Sequence, residues 1–338
     1  MSNDNLPPFL QDLLHPDRYD HPAQDLRLLQ THISYVILAG DFVYKFKKPV
    51  NFGFLDFSDL EKRHYYCQQE LLLNRRLCPD IYLGMVEVTV ESGGHCTLNG
   101  KGDVAEYGIK MARMPEELMM TNLIRAGNLR VEHIDTLVEV LADFYRRAAG
   151  DDEISSFGSA AAVSVNVLEN FDQTRTFIDQ GALSQSQFEL ISSYARQFLG
   201  REELFQLRID DGYIRDCHGD LYSANICLAE KVYIYDCIEF NQRFRYCDVA
   251  SDVAFLAMDL DFYGLDDLAQ RFIETFVRKT GDSGLVEMLN FYKCYRAYVR
   301  GKIGLFTAND PCVDPVIQVV NRENAAKYFI LAQRYAAQ

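Results

Sequence analysis

His218 to Asn225 read H-G-D-L-Y-S-A-N, and eleven residues after that Asn comes Asp236, in V-Y-I-Y-D-C-I-E-F. An Asp, an Asn and a second Asp in this order and spacing suit phosphoryl transfer. One carboxylate can hold an acceptor hydroxyl while an amide oxygen and another carboxylate hold magnesium on ATP. Magnesium keeps most of its waters and takes few oxygen ligands from protein, so an Asn and an Asp flanking a short hairpin suffice. Asp and Asn also cap ordinary turns. Turn chemistry, however, requires neither the distal Asp nor the Gly before the first one.

At these residues the chain resembles the aminoglycoside phosphotransferase-like branch of the protein-kinase superfold. That family's catalytic loop reads H-G-D-x-x-x-x-N, and an I-D strand end replaces the D-F-G of protein kinases. The loop matches at His218, Gly219, Asp220 and Asn225, and the strand end at Ile234, Tyr235 and Asp236. The resemblance implies Asp220 as catalytic base and Asn225 and Asp236 as metal ligands. It gives His218 a supporting role beneath the loop, and it has Asp248 anchor the loop through backbone contacts. Asp248 and Asp252, in R-Y-C-D-V-A-S-D-V-A-F-L, precede or open an apolar helix, and Asp248 is its N-cap by position. Glu239, three residues after Asp236, is a candidate for a second magnesium or a helix cap.

A kinase-type site also needs a strand Lys on the phosphates and a helix Glu to hold it. F-V-Y-K-F-K-K offers Lys45, Lys47 and Lys48. Lys45 and Lys47 share a strand face by the period of two. We favour Lys45, since Val43 and Lys45 mimic the V-x-K of kinase strands, with Lys47 as the fallback. The partner is Glu70, mid-helix in Q-Q-E-L-L-L-N-R-R. No G-x-G-x-x-G joins the first two strands; the connection is Thr31-His32-Ile33-Ser34, whose hydroxyls and N–H groups offer phosphate contacts instead. Met111 and Arg113, in K-M-A-R-M, sit where the purine would meet the segment linking two lobes.

These residues must be positioned by two kinds of lobe. A short helix over Phe9–Leu14 comes first. Strands are expected over Leu26–Gln30, Tyr35–Leu38, Phe42–Phe46, Ile81–Val90 and Val104–Met111. Leu60–Leu77 reads as a helix with an apolar face and a charged opposite face. After Met114-Pro115 the pattern turns helical: Val131–Ala149, then a polar loop over Gly150–Ser159, then helices near 160–180 and 184–207. A strand pair around 226–235 interrupts them, and helices fill 246–337. The expected fold class is therefore α+β, a two-lobed protein-kinase-like fold with a smaller, mostly antiparallel β lobe and a larger helical lobe. Residues 1–114 form the nucleotide-binding lobe and 115–338 the catalytic and substrate lobe.

Composition bounds the rest. The chain has 338 residues, 48% of them hydrophobic, enough for two packed lobes. No apolar run reaches membrane-span length, and M-S-N-D-N-L-P-P carries no signal-peptide pattern, so we expect a soluble cytoplasmic protein. The net charge of −15 argues against nucleic acid as a partner and suits a cationic small molecule. Nine Cys without C-x-x-C and seven scattered His point away from zinc and disulfides. The acceptor pocket is expected around Tyr222, Asn241, Arg243 and the helix carrying Arg296 and Arg300. If those two arginines point inward, an anionic substrate follows; if they pair with nearby carboxylates, they are structural.

T-H-I-S-Y-V, Y-K-F-K-K-P-V, E-L-L-L-N-R-R and D-C-I-E-F-N-Q-R-F-R look like an uncharacterised bacterial subgroup of these kinases. Some members carry an added P-loop kinase domain downstream. No G-x-x-x-x-G-K-[ST] occurs here, so only the kinase-like part is expected. The function expected is ATP- and Mg2+-dependent phosphorylation of a hydroxyl on a small molecule. A protein Ser/Thr kinase is the first alternative, but no A-P-E segment follows Asp236. A non-catalytic nucleotide-binding regulatory protein is the second; the complete Asp220, Asn225 and Asp236 set counts against it. Oligomeric state is not legible.

Overall fold

A computed structural model describes residues 6–338. Met1–Asn5, the start of the segment read above as free of a signal peptide, lie outside the described residues. Contacts within the chain divide it into two compact units: the chain up to Met119 together with Tyr233–Gln242, and Met120–Val232 with Arg243–Gln338. The fold is α+β, one unit built on a sheet and the other on helices.

In the sheet unit, helix α1 (Pro8–Leu13) precedes β1 (Arg27–Gln30), β2 (Ser34–Ala39) and β3 (Phe42–Lys47). Helix α2 (Leu60–Asn74) follows, then β4 (Tyr82–Val90), β5 (Cys96–Leu98) and β6 (Asp103–Ala112). The strands lie in the order β1-β2-β3-β6-β4-β5, all antiparallel. The tight β2–β3 turn relies on Gly40 at φ +59°, where an added Cβ would lie 2.3 Å from the Pro22 carbonyl oxygen. β3 divides its residues by period two. Tyr44 and Phe46 enter a core with Leu10, Leu13, Ile37, Val86 and Val88. Val43, Lys45 and Lys47 face the other way, toward α2.

Helix α2 corrects the sequence reading. Asp59 caps it by accepting from the Lys62 N–H at 2.8 Å. Its buried stripe is Arg63, Cys67, Glu70, Leu73 and Asn74, whereas Leu72 is 65% exposed. The face turned to the sheet is largely polar, and each of its polar groups is partnered. Arg63 Nε donates to both Glu106 oxygens at 2.9 Å, Glu70 takes lysines, and Asn74 bonds backbone at both ends of its amide. Burial without such partners would cost several kcal/mol per group.

The helical unit begins with α3 (Met120–Arg125), α4 (Val131–Arg147), α5 (Asp152–Ser156), α6 (Ala160–Thr174), α7 (Gln185–Leu199) and α8 (Glu202–Asp210). α5 occupies the stretch expected as loop, with the Asp151 carboxylate accepting from the Ile154 N–H at 2.9 Å. Strands β7 (Ile214–Asp216), β8 (Ile226–Leu228) and β9 (Val232–Ile234) follow, then the short α9 (Gln242–Arg245) and β10 (Tyr246–Asp248). β10 pairs antiparallel with β7, a ladder absent from the sequence expectation because each strand has three residues. The unit closes with α10 (Val249–Phe262), α11 (Asp266–Thr280), α12 (Leu285–Asn309) and α13 (Pro315–Ala336). α10 is buried on every face from Val249 to Leu260, so it is the central helix of this unit. α12 and α13 pack closely at Gly301 and Gly304, where a Cβ would meet the Phe329 ring at 2.8 Å and the Asn321 carbonyl oxygen at 3.0 Å. No helix among the described residues is long and apolar enough to cross a membrane.

Candidate active site

The sheet unit gathers two lysines and three carboxylates. Lys45 Nζ donates to Glu70 at 2.7 Å and to Asp236 at 2.5 Å. Lys47 Nζ donates to the other Glu70 oxygen at 2.7 Å and also to Glu239. Glu70 is therefore clasped by both lysines, and the preference for Lys45 over Lys47 becomes a division of labour. Lys45 leads to Asp236, and Lys47 leads to Glu239. Glu70 is fully buried and Lys47 is 2% exposed, while the Asp236 side chain is 45% exposed.

Burial lowers the proton affinity of Lys45, but the Asp236 and Glu70 carboxylates outweigh it and hold the ammonium well above its ordinary range. Burial also opposes ionisation of Glu70, yet the two ammoniums bring its carboxyl down to about 2. Glu239 differs. Burial pushes its carboxyl up, Lys47 pulls it down, and the Glu70 charge adds to the rise. Lys47 is itself raised, since the Glu239 and Glu70 carboxylates outweigh its burial.

Asp236 is fixed by its neighbours. Its backbone has φ +62°, and its N–H donates to the Tyr82 hydroxyl at 3.4 Å. The next N–H, of Cys237, donates to Asn74 Oδ1 at 2.9 Å. Asn241 Nδ2 donates to the Phe54 carbonyl at 3.0 Å, which ties Tyr233–Gln242 to the loop after β3. Met111 joins an apolar cluster with Val43, Tyr82, Met114, Tyr233 and Tyr235. Arg113 directs its guanidinium to Glu116 at 2.6 Å and to the Gly40 carbonyl. In the Thr31–Ser34 connection, the Thr31 hydroxyl accepts from the N–H groups of Ile33 and Ser34. Those donors, read above as phosphate contacts, close the turn.

In the helical unit, Asn225 Nδ2 donates to the Asp220 carbonyl and to Asp220 Oδ2, both at 3.0 Å. That directs the Asn225 amide oxygen away from Asp220. His218 is fully buried, and its Nδ1 accepts from the Asp220 N–H at 3.3 Å. Gly219 between them has φ +86°.

The backbone contacts that the resemblance gave to Asp248 are made by Asp252. Its carboxylate accepts from the His218 N–H at 2.7 Å and the Gly219 N–H at 3.0 Å. Asp248 instead caps α10 through the Ala250 N–H and pairs with Arg208 at 2.7 Å. Asp259 holds the far end of the loop through the Ser223 N–H at 2.9 Å. The sequence reading missed Asp259. The available signal was two of the helix's three acids, Asp252 and Asp259, seven residues apart and hence on one face of a largely apolar helix. Arg296 completes the support, donating to the Gly219 carbonyl at 3.0 Å and to Ser251 at 3.2 Å. Arg243 pairs with Glu169 at 2.7 Å. Tyr222 stacks on Phe255 with centroids 5.5 Å apart.

The fold is similar to that of solved small-molecule kinases. Among solved structures, amicoumacin kinase, determined with AMP-PNP, Ca2+ and Ami, aligns with a TM-score of 0.55 at 11% identity, covering 93% of this chain and 94% of that one. A choline/ethanolamine kinase family protein from Mesorhizobium loti aligns with a TM-score of 0.50 at 11% identity over 94% of each chain. The resemblance to aminoglycoside phosphotransferase-like kinases therefore extends to the fold. In sequence, the chain is 37% identical over 287 residues to uncharacterised proteins from Mycobacterium tuberculosis and Mycobacterium bovis. The match covers 84% of this chain and 55% of theirs, so the chain spans about half the length of these relatives. No family model matches.

Proposed function

We propose that the protein is a phosphotransferase that moves the γ-phosphoryl group of Mg·ATP to a hydroxyl of a small molecule. One observation carries the reading: Lys45, on the third strand, bonds at once to the buried Glu70 of α2 and to Asp236, far along the chain. A strand Lys paired to a helix Glu, together with a metal-holding Asp, is the arrangement that kinase catalysis needs in place.

In this reading magnesium, which takes hard oxygen ligands, would be held by the Asp236 carboxylate, one oxygen of which is bonded by Lys45, and by the Asn225 amide oxygen. Magnesium supplies charge neutralisation on the phosphates. In this reading Asp220 orients the acceptor hydroxyl and takes its proton as the oxygen bonds to phosphorus. The bond from phosphorus to the ADP oxygen breaks, and Lys45 offsets the charge on the phosphates. Met111 and its apolar neighbours receive the purine. Catalysis is then mostly positioning and charge stabilisation. The reading requires Asp220 and Asn225 to act on the same nucleotide as Lys45 and Asp236.

Calorimetry of Mg·ATP binding to wild type and Asp236→Asn tests it. Magnesium-dependent binding that the substitution weakens at least tenfold supports the reading. Wild type that is folded and binds no nucleotide sinks it.

A further inference from the structure

We infer that the acceptor is a small hydroxylated carboxylate, held by Arg300. This rests on the phosphotransferase reading and names the substrate class for its acceptor side. Arg296 and Arg300 stand one turn apart on α12, and they are not equivalent. Arg296 is committed to the Gly219 carbonyl, the Ser251 hydroxyl and, at 3.7 Å, Asp252. The Arg300 guanidinium instead lies 4.6 Å over the ring of Tyr222 and 5.8 Å from that of Tyr328 on α13, whose hydroxyl it hydrogen-bonds. Its buried Nε has no hydrogen-bond partner among the described residues, although the residue as a whole keeps some exposure.

Four groups form one stack: Arg300 over Tyr222, Tyr222 on Phe255, and Phe255 under Arg296 at 4.8 Å. A ring occupies a face of a guanidinium and leaves its in-plane N–H fork for an anion, and that fork matches a carboxylate in two parallel bonds. Tyr222 is two residues from Asp220, and the Asp220 and Asp259 charges both act on Arg300. The Asp259 carboxylate already takes the Ser223 N–H. A guanidinium largely removed from water, with no carboxylate bonded directly to it among the described residues, gains from a counter-ion placed on its open N–H groups. A substrate carboxylate meets that need close to the proposed base. It also reverses the expectation of a cationic substrate drawn from net charge.

The test uses the whole chain and the matched probes glucuronate, glucose and glucosamine, which share a ring and differ in charge. Glycerate and glycerol form a second, smaller set. Thermal-shift binding without nucleotide and ADP release with Mg·ATP are read in parallel. We expect the acids alone to stabilise wild type at millimolar concentration. Arg300→Gln should weaken that binding about 30-fold or more, the size of losing a buried charged partner. Arg300→Lys, which keeps the charge and loses the fork, should recover part of it and guards against misfolding of the Gln variant. Preference for the amine, no stabilisation by either acid, or binding of acids unchanged in both variants overturns the inference. Acid binding that depends on Arg300 in a protein that binds no nucleotide leaves the anion site standing and removes the reaction. Nucleotide binding without acid binding does the reverse.

Discussion

Glu70 is the most constrained residue of the site, since it answers to two lysines at once. Its carboxyl, ordinarily near 4.5, is brought to about 2, so its contribution to stability is complete above the ordinary value. That contribution is lost as pH falls from about 4.5 toward about 2. Glu239 has the opposite sign: its raised carboxyl gains a proton more readily in the folded chain, so falling pH adds stability through its titration. Thermal unfolding followed from pH 6 down to roughly 2 should therefore become shallower in Glu70→Gln, with a residual slope from the other depressed carboxyls, and steepen in Glu239→Gln. Equal slopes in the two variants would refute this assignment. Asp220→Asn should lower phosphoryl transfer by about 10²- to 10⁴-fold, the usual weight of a general base, while Mg·ATP binding stays within about threefold. Loss of nucleotide binding instead would give Asp220 a different task. The residues of the motif were legible because they are contiguous or fall at a fixed spacing. Asp252 and Asp259 were not read as the loop's clamps, because that role arises only where α10 passes beneath the loop.

At the scale of elements, the polar inner stripe of α2 explains why helical periodicity misled. The sequence suggested an apolar inner face, but Glu70 and Asn74 are turned inward beside Leu73, while Leu72 faces out. The sheet offers them two lysines and the strand end after β9. The order of strands and long helices was legible from period and turn residues. The β7–β10 ladder was not, since three-residue strands carry no pattern. A second buried ionic group joins elements of the helical unit. Arg208 of α8 donates to Asp248 at the start of α10 and to both oxygens of Asp282 before α12, with its guanidinium 4.0 Å over Tyr213. Asp282→Ala leaves that charge undercompensated and should cost about 3–5 kcal/mol. In a unit of this size that is a fall in Tm of about 10 °C, readable by calorimetry. A shift below about 2 °C would mean that the network is relaxed by water or rearrangement.

At the scale of the whole molecule, the sheet unit is completed by ten residues from late in the chain, Tyr233–Gln242. A fragment ending at Met119 lacks Asp236, Glu239 and the Cys237 N–H that satisfies Asn74. By circular dichroism it should show an incomplete or broad unfolding transition, and the 233–242 peptide supplied in trans should sharpen it. A cooperative transition in the fragment alone, unaltered by the peptide, would contradict this. The same threading bears on inheritance. A single exchange of gene segments after Met119 carries the lysines away from the aspartate that completes them. Passing the lysine cluster intact to another scaffold takes three junctions, so the two units travel together more readily than either travels alone.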